Sequence, residues 1–498
     1  MRKIKLSRFD IIWGILALTL FLGGCAPAKQ TGTPAPQPVD PEVLHSRLVL
    51  ETQTDEETGG QVSLGTFKVF ENRETQEGRM IELKVAVLHA TGGNPRPDPL
   101  FFLAGGPGQA AADMWRSFAD SRYRVKRDIV LVNQRGTGGD NFLQVDLGSD
   151  DDLQGYLDSA FRIEPYKEAL ARLQDEGFDL TQYSTFNAAD DLNEVRIALG
   201  CDKINLMGGS YGTRASLVYM KRHPETVRGA ILNGVAPIAF HNPLFHAYGA
   251  HRAMKMVLDE CAADPDCSTA FPNVREELAA VLERLEEAPA DAFVQLRESP
   301  DRVPVKVSRN TFAETLRMMM YSALNSRSVP LFIHQAFEGN FDAIAAQALR
   351  RNRSLLTGLA MAMLHCVVCA EDIDLIDPAE IEAETGYTYF GDFRVRQQMA
   401  ICDFWPRSQL PSGFGDPVSV EVPVLLLSGT IDAVTPPRWG EEAAGHLPNS
   451  LHVVAPGAHG VGGDCIRSII DTFMNTGSVA GIDTSCVKDM RLAPFELK

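Results

Sequence analysis

Ser210 stands between glycines two positions to either side, in Gly208-Gly209-Ser210-Tyr211-Gly212. A serine hydroxyl is a weak nucleophile until a neighbouring base takes its proton, and that base works best when an acid orients it. The pentapeptide follows Ile204-Asn205-Leu206-Met207, a short apolar run suited to a strand, and precedes Thr213 to Lys221, a run compatible with a helix. A serine on such a strand-to-helix turn sits on strained backbone with its hydroxyl exposed. The flanking glycines let backbones approach more closely than a Cβ would permit. The competing reading is a glycine-rich turn carrying an ordinary serine.

The partners such a serine needs occur later in the chain. Val422-Pro423-Val424-Leu425-Leu426-Leu427 reads as a buried strand and is followed by Ser428-Gly429-Thr430-Ile431-Asp432. Leu451-His452-Val453-Val454 reads as another and is followed by Ala455-Pro456-Gly457-Ala458-His459. Nucleophile, acid and base in that order, with acid and base on loops after strands, is the arrangement of α/β-hydrolases. The 27 positions between Asp432 and His459 leave room for one helix near residues 440–447 and one strand. Asp432 has a second reading as the cap of the turn before Pro436-Pro437, and His459 as a surface loop histidine. His452 lies mid-strand, His365 and His446 lie in helical context, and Asp464 follows His459 too closely for the usual order. An oxyanion hole takes two backbone N–H groups. Tyr211 and Gly106 are the candidates, the latter in Gly105-Gly106-Pro107-Gly108, which reads otherwise as a plain turn. Together these residues would transfer an acyl group to water through an acyl-enzyme. No cofactor motif is visible, so no cofactor and no metal are expected.

The surrounding elements fit this order. Met80 to His89 alternates apolar and polar residues, and Leu100-Phe101-Phe102-Leu103, Asp128 to Val132 and Gly229 to Asn233 are short apolar runs. A helical pattern covers Asn187 to Leu199. Short buried strands alternating with helices predict a mostly parallel sheet covered on both faces. The rhythm changes after Pro237 and returns near residue 416. The fold predicted is therefore an α/β-hydrolase core, residues 43–239 and 416–498, interrupted by a large helical cap at 240–415.

The 498 residues carry a net charge of −18, which argues against nucleic acid as a partner. Arg2, Lys3, Lys5 and Arg8 precede an apolar run from Ile11 to Leu22, too short to span a membrane comfortably. The run ends in Leu22-Gly23-Gly24-Cys25, which resembles a bacterial lipobox. Residues 1–24 are expected to be a signal peptide, Cys25 a lipidation site, and residues 25–42 a tether rich in Pro, Ala, Gln and Thr. The protein is expected to be exported and anchored by lipid to a bacterial membrane. Eight cysteines remain for an oxidising compartment. Cys261 with Cys267, Cys465 with Cys486, and Cys369 with Cys402 are the predicted pairs, leaving Cys201 and Cys366 undecided. A metal site at Cys366-x-x-Cys369 is the alternative, although no second pair stands at ligand spacing.

Gly105-Gly106-Pro107-Gly108, Asn133-Gln134-Arg135-Gly136-Thr137-Gly138, Asp190-Asp191-Leu192 and Gly209-Ser210-Tyr211-Gly212-Thr213 stand in the order of the prolyl aminopeptidase and tripeptidyl aminopeptidase family. The C-terminal part from Pro423 through Asp432 to His459-Gly460 also resembles that family's tripeptidyl members. Asn133 stands where family members often carry Asp, and Ala104 where the prolyl type carries His. Both departures lean away from a strict prolyl aminopeptidase and toward the tripeptidyl or a broader group, and neither touches Ser210, Asp432 or His459. The resemblance implies a peptide substrate cleaved at its N-terminal end, with acidic cap residues holding the free ammonium. Glu371 and Asp372, in Cys369-Ala370-Glu371-Asp372, are the residues it nominates. An esterase or lactonase using the same triad is the alternative enzyme, and an inactive lipid-anchored binding protein the alternative outside enzymes. Oligomeric state is not legible.

Overall fold

The computed structural model describes residues 39–149, 151–295 and 301–498. The expected signal peptide, Cys25 and most of the expected tether lie outside them. A short helix, Pro41–Ser46, begins within the last residues of the expected tether, 25–42. Asp40 starts it by accepting the Glu42 N–H, and Pro41 takes a first-turn position where no N–H is needed.

The strands in chain order are β1 (Leu48–Thr54), β2 (Gln61–Phe70), β3 (Met80–Leu88), β4 (Leu100–Leu103), β5 (Ile129–Val132), β6 (Ile204–Gly209), β7 (Val227–Asn233), β8 (Ala290–Gln295), β9 (Arg302–Val307), β10 (Val424–Gly429) and β11 (Ser450–Ala455). Nine form one sheet in the order β1-β2-β3-β5-β4-β6-β7-β10-β11. The pairs from β5 through β11 are parallel, while β1, β2 and β3 add antiparallel strands at one edge. Every residue of β5 and β10 is buried, which is why these strands read as continuous apolar runs rather than alternations. Helices Thr185–Ala198, Tyr211–Arg222, Pro437–His446 and Asp464–Thr476 supply the crossovers and the final cover. The chain has the α/β-hydrolase fold.

Between β7 and β10 the chain is mostly helical, but not wholly. Strands β8 and β9 pair as a separate antiparallel hairpin. Ala292, Val294, Val305 and Val307 form its buried face. This alternation is short and interleaved with charged residues, so it does not stand out in a helical stretch.

Motifs quoted above for the family resemblance turn out to clamp the core. Arg135 is fully buried and donates to both Asp191 carboxylate oxygens at 2.7 and 2.9 Å, and to the carbonyls of Glu71 and Gln182. Asp190 accepts from Arg222 and His223. Such pairs are satisfied on every side, as buried charge requires.

Three disulfides are closed, Cys261–Cys267, Cys369–Cys402 and Cys465–Cys486. Cys201 and Cys366 are free thiols. The metal alternative at Cys366-x-x-Cys369 is thereby corrected, since Cys369 is bonded to Cys402 and Cys366 instead accepts the indole N–H of Trp405 at 3.4 Å. Burial pushes the Cys366 thiol up to about 12. Among the described residues no helix is long and apolar enough to cross a membrane.

Candidate active site

Ser210 follows β6 directly and caps helix Tyr211–Arg222 with φ 54° and ψ −126°. It is one of two non-glycine residues with positive φ among the described residues. A serine holds that conformation only where its surroundings over-determine it. Here the Ser210 N–H donates to the Asn233 carbonyl at 3.0 Å, and the Ser210 carbonyl accepts the Thr213 N–H and hydroxyl. The glycines explain themselves. A Cβ on Gly212 would overlap the Leu103 carbonyl oxygen, and one on Gly208 would overlap the Gly212 carbonyl. Gly212→Ala therefore has to push β4 away from the serine turn. It is expected to cost about 1–3 kcal/mol in denaturant unfolding and to lower hydrolytic turnover in parallel.

His459 follows β11, and its Nε2 lies 2.8 Å from Ser210 Oγ. Its Nδ1 lies 3.0 and 3.1 Å from the two oxygens of Asp432, after β10. An ionised carboxylate only accepts, so Nδ1 carries the proton and Nε2 faces the serine hydroxyl as an acceptor. Asp432 is fully buried and also accepts the Val434 and Thr435 N–H groups and the Thr435 hydroxyl. Its two readings are thus compatible, because one carboxylate caps its own turn and holds the imidazole. Asn233 joins the serine and histidine loops. Its backbone carbonyl receives Ser210, while its side chain exchanges two hydrogen bonds of 2.9 Å with the Val461 backbone. Of the other histidines, His452 meets the Ser428 hydroxyl and His365 is buried, both apart from Ser210.

The two N–H groups expected to form an oxyanion hole belong to Tyr211 and Gly106. Tyr211 opens its helix, and the first N–H groups of a helix have no acceptor within it. Gly106 lies in the loop after β4 with φ 108°, which glycine tolerates. That loop is held by the Gln109 side chain, which accepts the Gly105 N–H at 3.0 Å, and by Ala360, whose N–H donates to the Gly108 carbonyl. Ser210, His459, Gly105 and Gly106 face a cavity of about 410 Å³ roofed by the insertion.

Two family models match the chain: "alpha/beta hydrolase fold" over residues 98–285 and "TAP-like protein" over residues 387–486. The first match agrees with the α/β-hydrolase fold described above, and the second makes residues 387–486 similar to TAP-like proteins. The serine protease Hip1 of Mycobacterium tuberculosis is 24% identical to it over 538 aligned positions, covering 97% of this chain and 99% of that one. A proline iminopeptidase of Neisseria gonorrhoeae is 32% identical over 157 residues, 31% of this chain and 39% of that one. The crystal structure of a proline iminopeptidase from Mycobacterium smegmatis aligns over 84% of this chain and 99% of its own at 16% identity, with a TM-score of 0.41.

In this hydrolase Glu371 and Asp372 do not face the cavity, and their nomination as substrate-binding acids is corrected. Both side chains are fully buried at the end of helix Met361–Glu371. Asp372 receives two hydrogen bonds from Arg214 at 2.8 and 2.9 Å and the Asn242 N–H at 3.0 Å. Glu371 receives the Thr185 N–H at 2.7 Å and the Thr185 hydroxyl at 2.8 Å, and that hydroxyl in turn meets the Tyr211 hydroxyl. The pair thus ties the insertion to the helix that follows the serine. Burial dominates their acidity and pushes Glu371 up to about 7 against the pull of Arg214.

The carboxylates that line the cavity are Glu314 and Asp158. Tyr321, also missed in the sequence, packs edge-on against His459 with ring centroids 4.9 Å apart, and its carbonyl accepts the His459 N–H at 3.2 Å. Nothing in the local sequence marks these residues. Glu314 and Arg317 sit three apart on a helix, the spacing of any exposed ion pair.

Proposed function

We propose that this protein is a serine peptidase that releases residues or short peptides from the N-terminus of peptides. The observation that carries the proposal is the chain of contacts from Ser210 through His459 to Asp432, built on a strained serine turn. His459 takes the Ser210 proton as Oγ attacks the scissile carbonyl, and Asp432 stabilises the imidazolium. The Gly106 and Tyr211 N–H groups receive the oxyanion. His459 then returns the proton to the leaving amine, and water repeats the sequence on the acyl-enzyme. The relatives, a serine protease aligned along 97% of this chain and a proline iminopeptidase aligned along 31% of it, support a peptide over an ester. The substrate ammonium would meet Glu314 or Asp158 rather than Glu371 or Asp372. Export and a lipid at Cys25 belong to the same proposal, and three disulfides suit an oxidising compartment.

Chromogenic aminoacyl, dipeptidyl and tripeptidyl amides, each with a free and an acetylated N-terminus, test it. Acetylation removes a charge-assisted contact, so kcat/KM is expected to fall by about 10–100-fold. Hydrolysis of esters with no turnover of any free-amine amide would overturn the peptidase reading. Equal rates on free and blocked amides would overturn the N-terminal reading.

A further inference from the structure

The cavity at Ser210 is lined by more guanidinium groups than carboxylates. Arg317, Arg351 and Arg394 line it, against Glu314 and Asp158. Glu314 is already engaged by two of the three. Its Oε1 accepts from Arg317 at 2.7 Å and from Arg394 at 3.0 Å, and its Oε2 accepts from Arg317 at 3.1 Å. Arg317 is 1% exposed and is held further by the Tyr321 hydroxyl. Asp158 is half exposed, accepts from Gln154, and has Arg162 at 3.9 Å. Arg351 has no carboxylate within ion-pair distance among the described residues. Its guanidinium lies 4.9 Å from the Tyr321 ring centroid, and its Nε is buried without a hydrogen-bond partner. A partly buried guanidinium beside a second cation is costly unless something anionic completes it. Burial, with Arg317 adding to it, holds its pKa below the usual arginine value.

Position adds to this. Arg351 belongs to the wall shared with a second hollow of about 1180 Å³, together with Gln109, Leu355 and Leu359. Arg351 thus borders both hollows. The Tyr321 ring centroid is 4.9 Å from both the Arg351 guanidinium and the His459 ring, so the two are no more than about 10 Å apart. An extended chain covers about 3.4 Å per residue, which places a group at Arg351 within about three residues of the scissile bond.

We propose that Arg351, backed by Arg317 and Arg394, forms an anion subsite that holds a carboxylate carried by the substrate. The proposal rests on Ser210 being the nucleophile. The carboxylate has two sources, an acidic side chain near the scissile bond or the free C-terminus of a short peptide. Guanidinium meets a carboxylate in the same two-pronged geometry in both cases.

The test uses matched pairs on the full-length protein. One arm compares Glu with Gln, and Asp with Asn, at each position flanking the cleaved bond. The other compares a free C-terminal acid with its amide. Fluorophosphonate labelling of Ser210 is read alongside. The acid of at least one arm is expected to be preferred by about 10-fold or more in kcat/KM. Arg351→Gln is expected to bring that ratio toward one, and Arg351→Lys to keep part of it. The arm that discriminates names the source. Equal kcat/KM within every pair, with labelling intact, overturns the subsite and leaves the serine mechanism standing. A ratio unchanged in Arg351→Gln also overturns it. Absence of labelling overturns the nucleophile and the subsite together.

Discussion

Ser210→Ala is expected to lower kcat/KM by on the order of 10⁴–10⁶-fold and to abolish fluorophosphonate labelling, with an unchanged unfolding curve. The loss is this large because, in the proposed mechanism, Ser210, His459 and Asp432 act as a unit. With Oγ gone, His459 has no proton to take, and Asp432 stabilises an imidazolium that never forms. The residual rate comes from the Gly106 and Tyr211 N–H groups and from substrate positioning. The fold is not at stake, since the serine turn is held by its backbone bonds to Asn233 and Thr213 rather than by the hydroxyl. Alanine does retain the unfavourable positive φ, as serine does. Labelling and turnover that survive the substitution would reject the mechanism.

Arg214→Leu is expected to destabilise the protein by about 3–5 kcal/mol at pH 8, measured by denaturant unfolding. Arg214 is the cation that compensates Asp372, with Glu371 at 3.9 Å, and it also donates to the Pro237 and Phe240 carbonyls. Its removal leaves two buried carboxyls without that charge. The deficit depends on pH. Burial already raises both carboxyls above their ordinary range, Glu371 to about 7. A carboxyl raised in this way contributes stability that is fully present below its unfolded value of 4.5 for glutamate, and loses it as pH rises through the folded value. Loss of Arg214 raises the folded values further. The difference between variant and parent is therefore expected to be smallest near pH 5 and to grow toward pH 8. Adding Asp372→Leu should return part of the stability, because an apolar pair replaces a broken ionic one. A difference that is flat with pH would mean that Arg214 acts through packing alone.

These two substitutions mark the boundary between what is local and what is not. Ser210 and Asp432 follow β6 and β10, largely buried parallel strands that announce themselves as continuous apolar runs, and His459 follows the partly buried edge strand β11, which still shows Leu451, Val453 and Val454. Glycine positions announce a turn too tight for a Cβ. The triad candidates, the parallel core and the long insertion were therefore readable from short windows of residues. The hairpin of β8 and β9 was not, because its alternation is brief. Neither were the partners of Glu371 and Asp372. An acidic pair looks the same whether it faces water, a ligand or an arginine, and Arg214 stands 158 positions from Asp372. The same holds for Glu314, Arg317, Arg351 and Arg394, which resemble charges on solvated helices until the insertion folds over Ser210. Sequence alone determined which groups could perform acyl transfer and in what order they stand. Only the tertiary structure decided which charges face the reacting carbonyl, because burial and charge pairing depend on contacts between segments far apart in the chain.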